Sequence, residues 1–212
     1  MDKNIELTKD EKDFITHAKE ALGILPLDVK IKKLDERAVI PTYAHDGDVG
    51  MDMTAIDVEY DDENDMYIYH TGLAFESDKH YGQLLFPRSS NRKTDAYLCN
   101  SVGIADSAIY RGEIMFCFKN RTSIHVLGKI NAMEHLINKL QHPERKDEEN
   151  KSFLDVYSEF RERARNLEFA PYNVGDRIGQ MVFVTYPEVR LNIVDELSDT
   201  ERGEGGFGST GN

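Results

Sequence analysis

Residues 100–112 read NSVGIADSAIYRG, and this stretch decides the fold. An apolar run enters a Gly, a single carboxylate follows in an otherwise neutral turn, and Tyr-Arg-Gly precedes a second apolar run, Glu113 to Phe118. Two apolar runs joined by turn residues predict a β-hairpin with one acid, Asp106, and one phenol, Tyr110, at its tip. Taken alone, an Asp in a turn caps its own backbone, so the stretch needs company before it signifies chemistry.

The neighbouring segments share its texture. LDVKIKKL (27–34) alternates apolar and polar residues, as a half-buried strand does. MYIYHTGLAFE (66–76), YGQLLF (81–86), AYLCNSVGI (96–104), EIMFCF (113–118) and IGQMVFVTY (178–186) are short, β-rich and bounded by Gly, Pro, Asn or Asp. Many short strands with turn signals between them predict a mainly β sandwich or barrel. At 212 residues and 40% hydrophobic, the chain can bury one good core as a single domain with additions. The expected division is a helical extension at 1–26, a β domain at 27–200 and a flexible Gly-rich arm at 201–212.

Two regions interrupt the β pattern. Thr8 and Glu11 form a capping-box pair ahead of Phe14, Ile15, Ala18 and Leu22, which predicts a short amphipathic helix over 8–22. Between the fifth and last strands, Val126, Ile130, Met133, Ile137 and Leu140 step by four and three, and Phe153, Tyr157, Phe160, Ala164 and Leu167 repeat the stepping after a polar break. These predict an αα-hairpin inserted at about 122–168, its apolar stripe laid on the barrel or on its own partner helix. The sharper reading of the insert is a docking element for a protein partner.

A net charge of −13 argues against a nucleic-acid or anionic-membrane surface, so a phosphate ligand would need local donors and a metal ion. Cys99 and Cys117 lack any ligand spacing and are expected as buried reduced thiols of an intracellular protein. The acidic run DVEYDDEND (57–65) lacks the Gly and terminal Glu of an EF-hand and is expected to be a solvated loop. The seven histidines show no zinc-site spacing. The N-terminus has no apolar core of a signal sequence, which makes cytoplasm the expected compartment.

The company that the first stretch keeps is AHDGDVGMDM (44–53), FPRSS (86–90), GDRIGQM (175–181) and RGEGGFGSTG (202–211). With NSVGIADSAIYRG, these five blocks resemble, in order, the motifs of the trimeric dUTP diphosphatase (dUTPase) family. The resemblance implies a jelly-roll or β-barrel subunit, a homotrimer with active sites shared between chains, and Mg²⁺-dependent hydrolysis of dUTP to dUMP and pyrophosphate. That activity removes dUTP and supplies dUMP for thymidylate synthesis. Breaking a phosphoanhydride needs an aligned water, a base and charge neutralisation over the phosphates. Asp106 matches the family's water-activating Asp, and Asp52 the acid that holds the hydrated Mg²⁺ through water. Arg88, Ser89, Ser90 and Gln180 match the phosphate contacts. Asp176 and Arg177, beside Gln180, are compatible with a structural ion pair.

Uracil presents an acceptor–donor–acceptor edge that backbone groups at 100–105 could read, Asn100, Gly103 and Ile104 among them, while cytosine would leave buried groups unpaired. Tyr110 resembles the aromatic under the deoxyribose. In the arm, Phe207 would stack on the uracil, with Arg202, Ser209 and Thr210 on the terminal phosphate and Gly208 allowing close approach. The chain departs from the pattern by one extra residue between Asp106 and Tyr110, by Ala105 for a large aliphatic, and by Gly179 at a common Ala position. Two rival readings are dCTP deaminase, for which Glu113 is the one candidate acid near the turn, and a dUTP-binding regulatory protein acting through the insert.

Overall fold

A computed structural model describes residues 8–21, 27–106, 108–142 and 151–201. In chain order these form α1 (Lys9–Ala21), β1 (Lys30–Lys33), β2 (Met51–Thr54), β3 (Asp57–Asp61), β4 (Met66–His70), β5 (Leu73–Glu76), β6 (Tyr81–Pro87), β7 (Ala96–Leu98), β8 (Gly103–Ala105), β9 (Met115–Asn120), α2 (Ile124–Gln141), α3 (Phe153–Arg165) and β10 (Arg177–Thr185). One four-stranded sheet has the order β2-β10-β6-β8 and another β3-β4-β9-β7, with β1 and β5 paired separately. Every pairing is antiparallel.

Alternation within the strands turns one face of each large sheet into a shared core. Met53, Leu85, Ala105, Ile178 and Met181 come from the first sheet, and Val58, Tyr67, Tyr69, Leu98, Phe116 and Phe118 from the second. Each large apolar side chain removed from water stabilises the fold by about 1.5–3 kcal/mol, so this layer dominates the energetics. The two core phenols are satisfied. Tyr69 donates to the Tyr172 carbonyl at 2.9 Å and accepts the Tyr172 N–H at 3.0 Å, and Tyr67 donates to the Ala164 carbonyl at 3.3 Å. Burial pushes both phenols well above the ordinary tyrosine range.

The mainly β architecture with an N-terminal helix and an inserted helix pair agrees with the reading from sequence, and four details differ. Segment 66–76 is two strands, because Gly72 at φ +66° turns the chain so that β4 joins the second sheet and β5 pairs with β1. Segment 96–104 breaks at Ser101, φ +59°, and the hairpin expected with Asp106 at its tip is not formed, because its two arms, β8 and β9, lie in different sheets. β7 and β9 do pair, but β8 crosses to β6 in the other sheet before the chain returns. The acidic run is not a solvated loop: residues 57–61 are β3, and its turn carries Asp62 and Asp65 to the insert.

The insert also packs differently from expectation. α2 turns its small residues Gly128 and Ala132 toward α3, where a Cβ on Gly128 would lie 3.1 Å from Phe160 and from Tyr157. The stripe from Val126 to Leu140 that was expected to be covered is 46–73% exposed. Polar contacts fix the pair to β3 and β4. Arg161 and Arg165 both bind the Asp62 carboxylate, the latter at 2.8 Å, and Ser123 caps α2 while donating to Asp65 at 2.6 Å. Cys99 and Cys117 are free and half-buried, and burial raises both thiols.

Candidate active site

β10 runs between β2 and β6, and this brings three separated blocks of sequence together. Gln180 lies opposite Asp52 on β2 and opposite Phe86 on β6, two residues before Arg88. Side chains alternate along a strand, so Arg177 and Gln180, three apart, should face opposite ways. A register shift between Arg177 and Gly179 changes this. Ile178 and Met181 enter the core, with no exposure, and Arg177 turns outward beside Gln180.

These side chains converge on Asp52, which is only 8% exposed. Its Oδ1 accepts from Arg88 Nε at 2.8 Å and Gln180 Nε2 at 3.4 Å, and its Oδ2 from Arg177 Nη1 at 2.9 Å and Arg88 Nη2 at 3.3 Å. One carboxylate thus gathers two guanidinium groups and an amide, leaving a net positive cluster on a strongly acidic chain. Ser89 and Ser90 open the short 3₁₀ turn Ser89–Lys93 directly after Arg88. Donors and positive charge gathered in this way could attract an anion. The ion pair between Asp176 and Arg177 that the sequence left open does not form: Arg177 pairs with Asp52, while Asp176 accepts from the Asn173 N–H at 2.8 Å.

The donor set fits Mg²⁺ only in an outer-sphere sense. Among the described residues no group of three or more His, Cys, Asp or Glu could hold a metal ion. Asp52 stands as a lone carboxylate whose acceptor positions are already engaged.

Asp106 lies elsewhere. Its carbonyl accepts from the N–H groups of Ile109 at 2.9 Å and Tyr110 at 2.7 Å, which closes a wide turn. Tyr110 is 42% exposed and donates to the Glu113 carbonyl at 3.0 Å. Gly112 sits beneath it, where a Cβ would lie 2.3 Å from the Tyr110 hydroxyl. Arg111 ties the turn to Glu76 at 3.3 Å. Upstream, Gly103 is buried against Leu85, whereas Asn100 and Ile104 are exposed. β8 is the last strand of its sheet, so one row of its backbone groups faces away from β6.

Within one chain the two groups do not meet. Ala105 pairs with Gln83, so Asp106 falls near the start of β6, whereas Arg88 follows its far end. Five to six residues of strand put them on the order of 15–20 Å apart. Arg202, Phe207, Gly208, Ser209 and Thr210 lie outside the described residues.

The dUTPase family model matches residues 36–134 and 168–211. The chain belongs to the dUTPase family. All five sequence blocks fall within the matched ranges, and the gap between them covers the end of α2 and all of α3. The deoxyuridine 5'-triphosphate nucleotidohydrolase of Alkaliphilus metalliredigens (strain QYMF) is 30% identical over 86% of this chain and 96% of its own length. That of Hahella chejuensis is 32% identical over 91% of this chain and 98% of its own. Among solved structures, a mutant of the Staphylococcus bacteriophage 80alpha dUTPase with dUpNHpp superposes with a TM-score of 0.57. It is 21% identical and covers 87% of this chain and 98% of the phage protein, a likeness of fold. A mutant dUTPase from phage phi11 of S. aureus, described with a structural Mg(II) ion, gives a TM-score of 0.51 at 20% identity, over 80% of this chain and 97% of its own.

Proposed function

We propose that this dUTPase family member hydrolyses dUTP to dUMP and pyrophosphate, in a homotrimer whose active sites are shared between chains. The observation that carries the reading is the separation just described. The anion cluster around Asp52 and the carboxylate of Asp106 sit at opposite ends of β6, so one triphosphate can touch both only if two chains contribute.

In that assembly Arg88, Ser89, Ser90, Arg177 and Gln180 take the phosphates, and the free row of β8, from Asn100 through Gly103 and Ile104, reads the uracil edge. Tyr110 packs under the deoxyribose. Asp106 accepts the proton of the attacking water, as its exposure in a turn free of other acids allows. Phe207 of the arm covers the base, with Arg202, Gly208, Ser209 and Thr210 at the terminal phosphate. Mg²⁺, when bound, supplies charge neutralisation on the triphosphate oxygens. Arg177, 54% exposed, can exchange Asp52 for a phosphate, and Asp52 would be the residue that holds the ion through water.

Pyrophosphate release from dUTP, dCTP, dTTP and UTP, each with Mg²⁺ and with EDTA, tests the activity. Turnover of dUTP alone, lost on chelation, is the expected result, and truncation after Glu201 should abolish most of it. Mixing inactive Asp106→Asn with inactive Arg88→Ala should restore activity, because mixed assemblies contain sites with both groups intact. Absence of complementation would remove the shared site. A second reading rests on α2, whose exposed apolar stripe suits a protein partner and is compatible with catalysis. No described helix is long and apolar enough to cross a membrane.

A further inference from the structure

The turn that carries Asp106 must come back from β8 to β9 in the other sheet, so its second foot, Glu113–Ile114, sets where the carboxylate stands. That foot is stitched to residues 70–73. Glu113 Oε1 accepts the Gly72 N–H at 2.6 Å, and its Oε2 lies 2.9 Å from His70 Nδ1. The Thr71 hydroxyl donates to the Ile114 carbonyl at 2.6 Å, and the Ile114 N–H to the Leu73 carbonyl at 2.8 Å. Tyr110 donates to the Glu113 carbonyl from the other side, at 3.0 Å. Gly72 presents its N–H from a left-handed conformation, and a Cβ there would lie 2.5 Å from Ile56 Cδ1.

His70 is the charge that Glu113 answers, and it lines an open cleft of about 330 Å³. Facing it are Glu113, Glu59 of β3 with Oε1 3.8 Å from Nε2, and Asp57, its register partner on β3. Asp35 and Arg37 complete the charged lining, and Arg37 is engaged by Asp35 and Asp57. Partial burial disfavours the imidazolium, but the hydrogen bond and charge of Glu113, with Glu59 and Asp57, outweigh it and hold His70 above the ordinary histidine value.

We propose that His70 and Glu113 are positioning residues: their ion pair holds the turn from Asp106 to Gly112, and turnover depends on the protonation of His70. The proposal rests on Asp106 being the water-activating group, as argued above. Because His70 is raised in the folded chain, the pair contributes fully below the ordinary histidine value and is lost as pH rises through the raised one. Neutral His70 then retains one hydrogen bond without the charge.

The test uses full-length His70→Gln and Glu113→Gln, with kcat and KM for dUTP followed from about pH 5.5 to 9. Glu113→Gln should lower kcat about tenfold near pH 6 and move KM less than about threefold, because it shifts the turn and spares the phosphate cluster. The deficit should narrow at high pH, where the wild type loses the same ion pair. His70→Gln, which keeps the bond from Gly72, should show a smaller deficit with the same pH trend. A deficit constant with pH, or one confined to KM, overturns the proposal. NMR titration of the imidazole reads the clasp without turnover. His70 should titrate above the ordinary value in the wild type and at or below it in Glu113→Gln, and an unchanged titration overturns the proposal. A wild type that leaves dUTP intact would refute the function proposed above, and the NMR titration would still decide the clasp.

Discussion

Arg177 reaches Asp52, Nη1 to Oδ2 at 2.9 Å, because the bulge before Gly179 turns it onto the outer face of β10. Its side chain is 54% exposed, so the pair contributes little to stability after solvent screening. The expectation for Arg177→Ala is a KM for dUTP raised at least about tenfold, the scale of one lost charge-assisted contact, with unfolding free energy within about 1 kcal/mol of wild type. Steady-state kinetics beside urea denaturation separates the two, and an unaltered KM would return Arg177 to a structural role.

Among the described residues the Asp106 carboxylate has no hydrogen-bond or ion-pair partner, and its backbone carbonyl closes the turn. Asp106→Asn should therefore preserve the fold and nucleotide affinity while lowering kcat at least about 100-fold, as removal of a general base does. Binding of a non-hydrolysable dUTP analogue by calorimetry checks the first half and pyrophosphate release the second. A variant of near wild-type rate would sink the assignment of the water-activating group.

Much of this was legible in the sequence, and the failures share a cause. Period-two runs and turn residues mark strands wherever one face is buried, which is why β4, β6, β9 and β10 emerge. The short β2 and the acidic β3 do not emerge, because neighbours override weak intrinsic preference there. The αα-hairpin was visible in its period, but the period does not say which face is covered. Gly128 and Ala132 define the packed side of α2 because they let Tyr157 and Phe160 approach, so the larger apolar stripe is left outside. At the site, the residue types at Asp52, Arg88 and Gln180 were readable as blocks. Arg177 was not, since a bulge is a property of two paired strands and leaves no mark in one of them.

Asp62 fastens the insert through Arg161 and Arg165, and its acid response follows from its surroundings. Partial burial raises its carboxyl, but the hydrogen bonds of the two arginines prevail and hold it below the ordinary value of 3.8. A depressed carboxylate gives stability that is complete above its unfolded value and is lost as pH falls through the folded one. Asp62→Asn should thus cost about 1–2 kcal/mol at pH 7, and the penalty should shrink steadily once pH falls below the ordinary carboxylate value toward the lowered folded one, where the wild type loses the same charge. Denaturation of both proteins from about pH 7 to 3 checks this, and a penalty independent of pH would assign the loss to packing.

The family resemblance leads to the expectation of Ala at the position of Gly179, and the core explains the Gly. A Cβ there would lie 2.0 Å from Cε1 and 2.5 Å from Cζ of Phe116, whose ring is 1% exposed in the shared core. The ring occupies the space that the methyl group would need, and a close-packed interior offers it no alternative without strain. Gly179→Ala should destabilise the chain by about 1–3 kcal/mol, and Phe116→Leu alone by a similar amount through the cavity it leaves. Combined, the substitutions should cost less than their sum, because the smaller side chain vacates the site that the new methyl group fills. A double-mutant cycle in urea measures the coupling, and strict additivity would show that Phe116 is not what excludes Ala.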